Sequence, residues 1–161
     1  MSQCLVELFS VLRYCSLEGS EMDSLIEWGM KTCNPSVIRN CLGMMLTYVN
    51  DSPDRMAALL QSALNDSEIA SAISSDALSC VCYIRLCWSL YTTKKEMSYV
   101  KVLCSLAQQE VEASSMLAME FLSTLPYAEL VKLNKDGEAG NGGNFILFRW
   151  LNSMIIHQVF V

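Results

Sequence analysis

The stretch that decides the fold runs from Asn34 to Leu46 and reads Asn34-Pro35-Ser36-Val37-Ile38-Arg39-Asn40-Cys41-Leu42-Gly43-Met44-Met45-Leu46. Its first two residues form a helix start, because an asparagine side chain can cap free N–H groups and a proline at the first helical position has no N–H to leave unpaired. Apolar residues then recur three and four positions apart, which is the pattern of an amphipathic helix. We therefore predict a helix that begins at Pro35 and buries an apolar stripe made of Val37, Ile38, Cys41, Leu42, Met45, Leu46 and Val49.

Helical patterns of the same kind extend from the start of the chain to Leu133. Ser52-Pro53 repeats the cap-then-proline pattern, and Ser75-Asp76 is predicted to cap a segment that is apolar nearly all round and so covered on most sides. The predicted helices are residues 2–17, 21–33, 35–49, 53–64, 68–73, 77–91, 94–109, 114–125 and 126–133. The sequence therefore predicts an all-α protein.

The strongest apolar helix recurs at a nearly constant spacing. With Asn34, Ser75 and Ser114 aligned as caps, the residues in register are Val37, Leu78 and Leu117, then Cys41, Cys82 and Phe121, then Met45, Leu86 and Leu125. The spacing within the first set is 41 and then 39 residues. A period of about 40–47 residues is typical of HEAT and armadillo arrays, in which each unit has two or three helices.

Residues 34–46 resemble the third helix of an armadillo repeat, which begins with a similar cap and has a small residue near the position of Gly43. Residues 52–55 resemble the loop and short helix that open the next unit, and residues 126–131 resemble the proline-led second helix of another. The resemblance covers residues 2–133. It implies a right-handed α-solenoid of about three armadillo/HEAT-like repeats.

The resemblance also implies a passive function, in which partner proteins lie along a ridge of stacked helices. On the repeat alignment, this ridge uses positions off the apolar stripe, and the candidate protein-binding residues are Arg39, Asn40, Arg85, Trp88 and Glu120. Peptide-binding armadillo repeats have an Asn four residues after a Trp. Here Trp88 is followed by Thr92, so the peptide-clamping ladder of that family is not carried over.

Composition and charge restrict the class of partner. Hydrophobic residues make up 52% of the chain and charged residues 17%, against about 45–50% and 25% in typical proteins. The chain has 11 Lys+Arg and 17 Asp+Glu, for a net charge of −6. A nucleic-acid-binding surface needs a basic face, so we expect no direct nucleic-acid binding. We expect the partners to be other proteins, and we expect no small-molecule substrate.

Eight cysteines lie mostly inside helical patterns, among other apolar residues. A free cysteine behaves as a small buried hydrophobe, and reduced thiols are typical of intracellular proteins. The N-terminus lacks the basic region of a secretory signal, and Glu7 interrupts its apolar stretch. We therefore expect an intracellular protein, either cytoplasmic or nuclear.

The sequence contains no pattern typical of a catalytic or metal-binding site. The single histidine, His157, lies in the C-terminal tail with no evident orienting partner. Cys80 and Cys82 are two residues apart and so point to different sides of a helix, unlike the CxxC pairs of zinc sites. We expect no catalytic residues, no metal and no cofactor, and thus a protein that is not an enzyme.

Composition changes after Leu133. Residues 134–144 contain four glycines in a polar stretch and are predicted to be a flexible linker. Residues 145–161 form a mostly apolar tail that includes Arg149 and His157. This tail is at the short edge of what crosses a bilayer; the alternatives are a packed terminal helix or strand, or a segment appended by alternative splicing.

The sequence thus predicts a helical-repeat domain over residues 1–133, the linker and the tail. The first helix has no obvious polar outer face and the last repeat breaks off early, so we expect a fragment of a longer array. The alternatives are a compact helical-bundle adaptor and, if residues 145–161 insert, a tail-anchored membrane protein, which carbonate extraction of the full chain and of residues 1–144 would distinguish.

Overall fold

A computed structural model describes residues 2–12, 14–15, 19–107, 112–126, 128–129 and 131. These residues form eight α-helices and no strand, which confirms the all-α prediction. The helices are α1 Ser2–Leu12, α2 Gly19–Lys31, α3 Pro35–Tyr48, α4 Pro53–Leu64, α5 Ser67–Ser75, α6 Ala77–Lys94, α7 Met97–Ala107 and α8 Glu112–Ser123. The chain divides into two compact units, Met1–Lys95 and Glu96–Val161.

Side-chain caps fix several helix starts. Asn34 begins α3 as predicted, and its side-chain oxygen accepts hydrogen bonds from the N–H groups of Ser36 at 3.0 Å and Val37 at 3.3 Å. Asp66 caps α5, accepting from the Glu68 N–H at 2.9 Å. The prediction for Ser52 was wrong in one respect, because its side chain makes no capping hydrogen bond within the described residues and only Pro53 marks the start of α4.

Two helices of the first unit end near a residue with positive φ. Cys33 follows α2 with a φ of 51°, and Lys95 follows α6 with a φ of 58°. A left-handed residue commonly terminates a helix, although glycine is the usual choice. Two helix ends differ from the prediction: α6 continues to Lys94, and α1 ends at Leu12 although the pattern predicted helix to residue 17.

Helix α3 is the central element of the first unit, because it packs against α1, α2, α4, α5 and α6. Phe9 of α1 is fully buried and stacks on Trp28 of α2, with ring centroids 5.6 Å apart. Gly29 makes this close packing possible. A Cβ atom there would lie 2.5 Å from both the Cys41 Sγ and the Phe9 Cε1 atoms.

The buried face of α1 is narrower than predicted. We expected Leu5, Leu8, Phe9 and Leu12 to face the core, but only Phe9 is fully buried and Leu8 is 46% exposed. Leu5 and Leu12 are half-buried. A helix held by one deeply inserted aromatic side chain keeps its neighbouring positions near the surface.

The cap that the sequence alignment predicted for α6 was wrong by one residue. Asp76, not Ser75, caps α6, so the offset from Asn34 is 42 residues. The predicted equivalent of buried Val37, Leu78, is 58% exposed. At the new offset the pairs of equivalent residues are Val37 and Ser79, Ile38 and Cys80, Cys41 and Tyr83, Leu42 and Ile84, Met44 and Leu86, Met45 and Cys87, and Val49 and Tyr91, and every one of these residues is buried.

In the second unit α7 packs against α8. Val100 and Leu103 on α7 and Ala118 and Leu122 on α8 are buried, and the Ser115 hydroxyl donates to the Ala107 carbonyl at 2.7 Å. Ser114, which the alignment placed as a cap, instead lies inside α8 and is fully buried.

The predicted linker, residues 134–144, and the predicted tail, residues 145–161, lie outside the described residues, as does His157. Across the ranges that the structure describes, no single helix combines the length and the apolar character needed to cross a bilayer. Helices α5 and α6 reach that threshold only as a pair bent by 107°.

Candidate protein-interaction surfaces

The predicted binding residues on α3 are partly occupied within the fold. Arg39 Nε donates to the Pro35 carbonyl at 3.2 Å, and Arg39 Nη2 donates to the Ser36 Oγ at 2.8 Å. Its guanidinium also lies 3.7 Å from an Asp76 carboxylate oxygen. Arg39 therefore connects the starts of α3 and α6, whereas Asn40 is a half-buried neighbour on the same helix.

The predicted residues on α6 lie nearly one turn apart. Arg85 is exposed, and Trp88 is half-buried. The Trp88 ring packs on Tyr91 with centroids 5.4 Å apart and the planes tilted by 39°. A half-buried, ring-supported tryptophan beside an exposed arginine is the residue combination that is enriched at the centre of protein interfaces.

Glu120 is exposed on α8, in the second unit. Its backbone carbonyl accepts a hydrogen bond from the Ser123 hydroxyl at 2.6 Å. The first unit thus contains four of the five predicted residues on two helices that pack together, and the fifth belongs to the other unit.

Sequence reasoning missed a cavity between α2, α4 and α5, with a volume of about 110 Å³. Its apolar lining consists of Ile26, Met30, Leu59, Ala63 and Ile69, and its polar lining consists of Glu27, Lys31, Ser62 and Asp66. The sequence carried no usable signal for it, because the cavity depends on how three helices pack together.

Two carboxylates act on the Cys33 thiol. Partial burial raises the pKa of the Cys33 thiol, and the carboxylates of Glu68 and Asp66 raise it further. Asp66 also lines the cavity, together with Glu27 and Lys31, so this side of the first unit carries both acidic and basic side chains.

The buried thiols are poor nucleophiles. Burial raises the pKa of Cys41 to about 12, that of Cys87 to about 12 and that of Cys104 to about 11. Since the thiolate is the reactive form, these three side chains are protonated at neutral pH. They fill the core as small apolar groups.

Metal ligation has no candidate in the part of the chain that the structure describes, where no three His, Cys, Asp or Glu side chains converge on a common point. Cys80 and Cys87 are both buried on α6.

Comparison with known proteins gives no relative: no family model, no curated protein and no solved structure matches the chain. The likeness to armadillo and HEAT repeats therefore rests on the residues of this chain.

Proposed function

We propose that the chain is a non-enzymatic scaffold for protein–protein contact, built from armadillo/HEAT-type repeats that stack into a right-handed α-solenoid. The function is passive in this proposal: helices stack, their buried faces join into one core, and their outer positions contact partner proteins.

The observation that carries the proposal is the equivalence of α3 and α6. At the offset of 42 residues, seven pairs of positions coincide in being buried, from Val37 with Ser79 to Val49 with Tyr91. Both helices begin at a side-chain cap, Asn34 in one and Asp76 in the other. Two independent helices of a bundle have no need to share cap and burial pattern at a fixed spacing, whereas successive repeats do.

The two helices also begin side by side. The Ser79 hydroxyl oxygen, in the first turn of α6, lies 3.3 Å from the carbonyl oxygen of Pro35 in the first turn of α3. The ion pair of Arg39 with Asp76 joins the same ends. In a solenoid, equivalent helices of neighbouring repeats lie next to each other in this way.

The surface residues support a contact function. Arg85 and Trp88 offer a cation and an aromatic ring on one helix. The cavity of about 110 Å³ between α2, α4 and α5 is lined by both apolar and charged side chains, a combination suited to one apolar side chain of a partner. The raised pKa values of Cys41 and Cys87 favour a structural role for these thiols.

One observation favours a second candidate, a compact helical-bundle adaptor. Helix α3 contacts each of the other five helices of its unit, as the central helix of a bundle does. A central helix of an array with only two adjacent repeats would make similar contacts, so the two arrangements must be separated by experiment.

A tandem duplication separates them. A second copy of residues 35–76, inserted after Asp76, adds one repeat of α3, α4 and α5 to a solenoid. We expect the longer chain to remain folded and gain helical circular dichroism signal in proportion, with unchanged or higher stability, because each repeat packs on its neighbours. A molten or aggregated product would reject the solenoid, because the same insertion disrupts a closed bundle core.

The contact function is tested by affinity purification from cells. We expect Arg85→Glu combined with Trp88→Ala to remove specific partners, and Gln61→Glu on the exposed face of α4 to retain them. Circular dichroism of the purified variants controls for folding. Partners that survive both substitutions unchanged would exclude this surface.

A further inference from the structure

The outward face of α1 carries an apolar stripe that the fold leaves exposed. Cys4, Leu8, Val11 and Cys15 are all exposed, with Leu8 at 46% and Val11 at 63%. Phe9 anchors the opposite side of the helix in the core. Of the eight cysteines in the chain, only Cys4 and Cys15 are exposed.

These four residues lie on one line. At about 100° of rotation per residue, they fall within an arc of about 60° and span about 16 Å along the helix axis. Cys15 lies just past the end of α1, but its backbone N–H donates to the Leu12 carbonyl and its Sγ lies 3.7 Å from the Val11 carbonyl oxygen. The thiol therefore stays on the side of Val11.

The stripe has the same spacing in both directions. Its spacings are four, three and four residues, which is the seam spacing of two helices that pack together. If a second α1 is laid antiparallel about a twofold axis between Leu8 and Val11, each Cys4 faces a Cys15 and each Leu8 faces a Val11. A twofold interface needs this self-complementarity, whereas a foreign partner does not.

Charge does not oppose such a contact. Glu7 and Arg13 are the charged residues within the span of the stripe, residues 4–15, and Gln3 donates a hydrogen bond to Glu7 at 3.5 Å. In the antiparallel register Glu7 lies opposite Leu12 of the other copy, so no like charges face each other.

We propose that a second copy of this chain docks antiparallel on the stripe formed by Cys4, Leu8, Val11 and Cys15. The contact is small and so weak and reversible in reducing conditions. The cysteines at its two ends lie where a disulfide would join the copies, because facing residues of packed helices come within the Cα–Cα range of a disulfide. This inference is independent of the proposed scaffold function.

The experiment uses the full chain with two variants, Cys4→Ser and Cys15→Ser, one of them isotope-labelled. Each is treated with copper(II)–phenanthroline, which accepts the two electrons lost when two thiols release two protons and form one disulfide. We expect little dimer from either variant alone and efficient dimer from their equal mixture, with Cys4 linked to Cys15 in the mass spectrum. Leu8→Asp should reduce the dimer yield of the wild type by about tenfold, because it places a charge in an apolar contact.

Leu78→Asp is the matched control, since Leu78 is another exposed leucine, on α6; it should leave the yield unchanged. Equal crosslinking by each single variant and by the mixture would overturn the proposal, as would a mixture that gives no dimer or an effect of Leu78→Asp as large as that of Leu8→Asp. Because the test with mixed cysteine variants does not depend on Leu8→Asp, a folding defect in that variant would not change the crosslinking result.

Discussion

At the scale of single residues, Gly29 is a point where three helices approach closely. Sequence reasoning treats a glycine inside a helix as a weak position, because it costs about 1 kcal/mol relative to alanine. The structure gives it a use, since α2 can approach Phe9 and Cys41 only where the Cβ atom is missing. No local pattern in the sequence predicts such a contact between segments that are distant along the chain.

Gly29→Ala should therefore destabilise the protein. The new Cβ would lie 2.5 Å from both the Cys41 Sγ and the Phe9 Cε1 atoms, and overpacking of this kind costs about 1–3 kcal/mol, more than the helix propensity of alanine returns. Urea denaturation measures the change. Gly19→Ala is the control, because its nearest contact would be the Arg55 Nη1 atom at 3.1 Å, which a smaller shift accommodates; a Gly29→Ala protein as stable as the wild type would contradict the packing account.

Lys95→Gly should instead stabilise the protein. Lys95 holds a φ of 58°, a conformation that costs a non-glycine residue about 1–2 kcal/mol. Its ammonium lies 5.5 Å from the centroid of the Tyr91 ring, a contact that glycine would lose. We expect the free energy of unfolding to rise by roughly 0.5–1 kcal/mol, as measured by thermal or urea unfolding.

The substitution of the preceding residue, Lys94, serves as the comparison for Lys95→Gly. Lys94→Gly should destabilise, because Lys94 closes the last turn of α6 and its Nζ lies 2.7 Å from an Asp54 carboxylate oxygen. Equal effects of the two substitutions would show that backbone conformation does not control the end of α6.

At the scale of helices, the joint between α3 and α6 depends on a carboxylate. The Ser79 hydroxyl donates to Asp76 at 2.7 Å and lowers the pKa of this carboxyl group; partial burial opposes the shift, and the Ser79 N–H and the Arg39 charge reinforce it. Because the folded-state pKa is the lower one, the stabilisation is complete above the unfolded-state pKa of about 3.9. It is lost as the pH falls through the folded-state value.

Asp76→Asn should therefore destabilise at pH 7 by roughly 0.5–1.5 kcal/mol, since asparagine can still cap the helix but loses the charge-assisted bonds. The difference from the wild type should shrink as the pH falls below about 4. Urea midpoints at pH 7 and below pH 4 measure this difference in stability, with Asp51→Asn in an exposed turn as the control. A difference that does not depend on pH would exclude the carboxylate charge as the cause.

The sequence predicted most helices but not how they meet. Asn34-Pro35 located the start of α3 because a cap and a proline act locally. Choosing Ser75 over Asp76 as the next cap shifted the repeat register by one residue, which moved exposed Leu78 into a position expected to be buried. The cavity lined by Ile26, Ala63 and Ile69 could not be predicted, because it depends on how three helices pack.

At the scale of the whole molecule, the first unit has a core of its own. Its five other helices pack against α3, and the ion pair of Lys94 with Asp54 joins the end of α6 to the start of α4. A chain that ends at Lys95 should therefore fold alone, with helical circular dichroism and a single cooperative urea transition. A broad, non-cooperative transition would mean that the first unit depends on residues 96–161.

The stacking of Phe9 on Trp28 has an optical consequence. Trp28 is 49% exposed, and Phe9 shields its indole ring on one side. If α1 detaches, the indole becomes fully hydrated, so its emission should shift to longer wavelength and iodide should quench it more strongly. Subtracting the emission spectrum of Trp28→Phe isolates the Trp28 signal from that of the other tryptophans. Detachment of α1 can then be followed by the intrinsic fluorescence of Trp28, at temperatures below global unfolding.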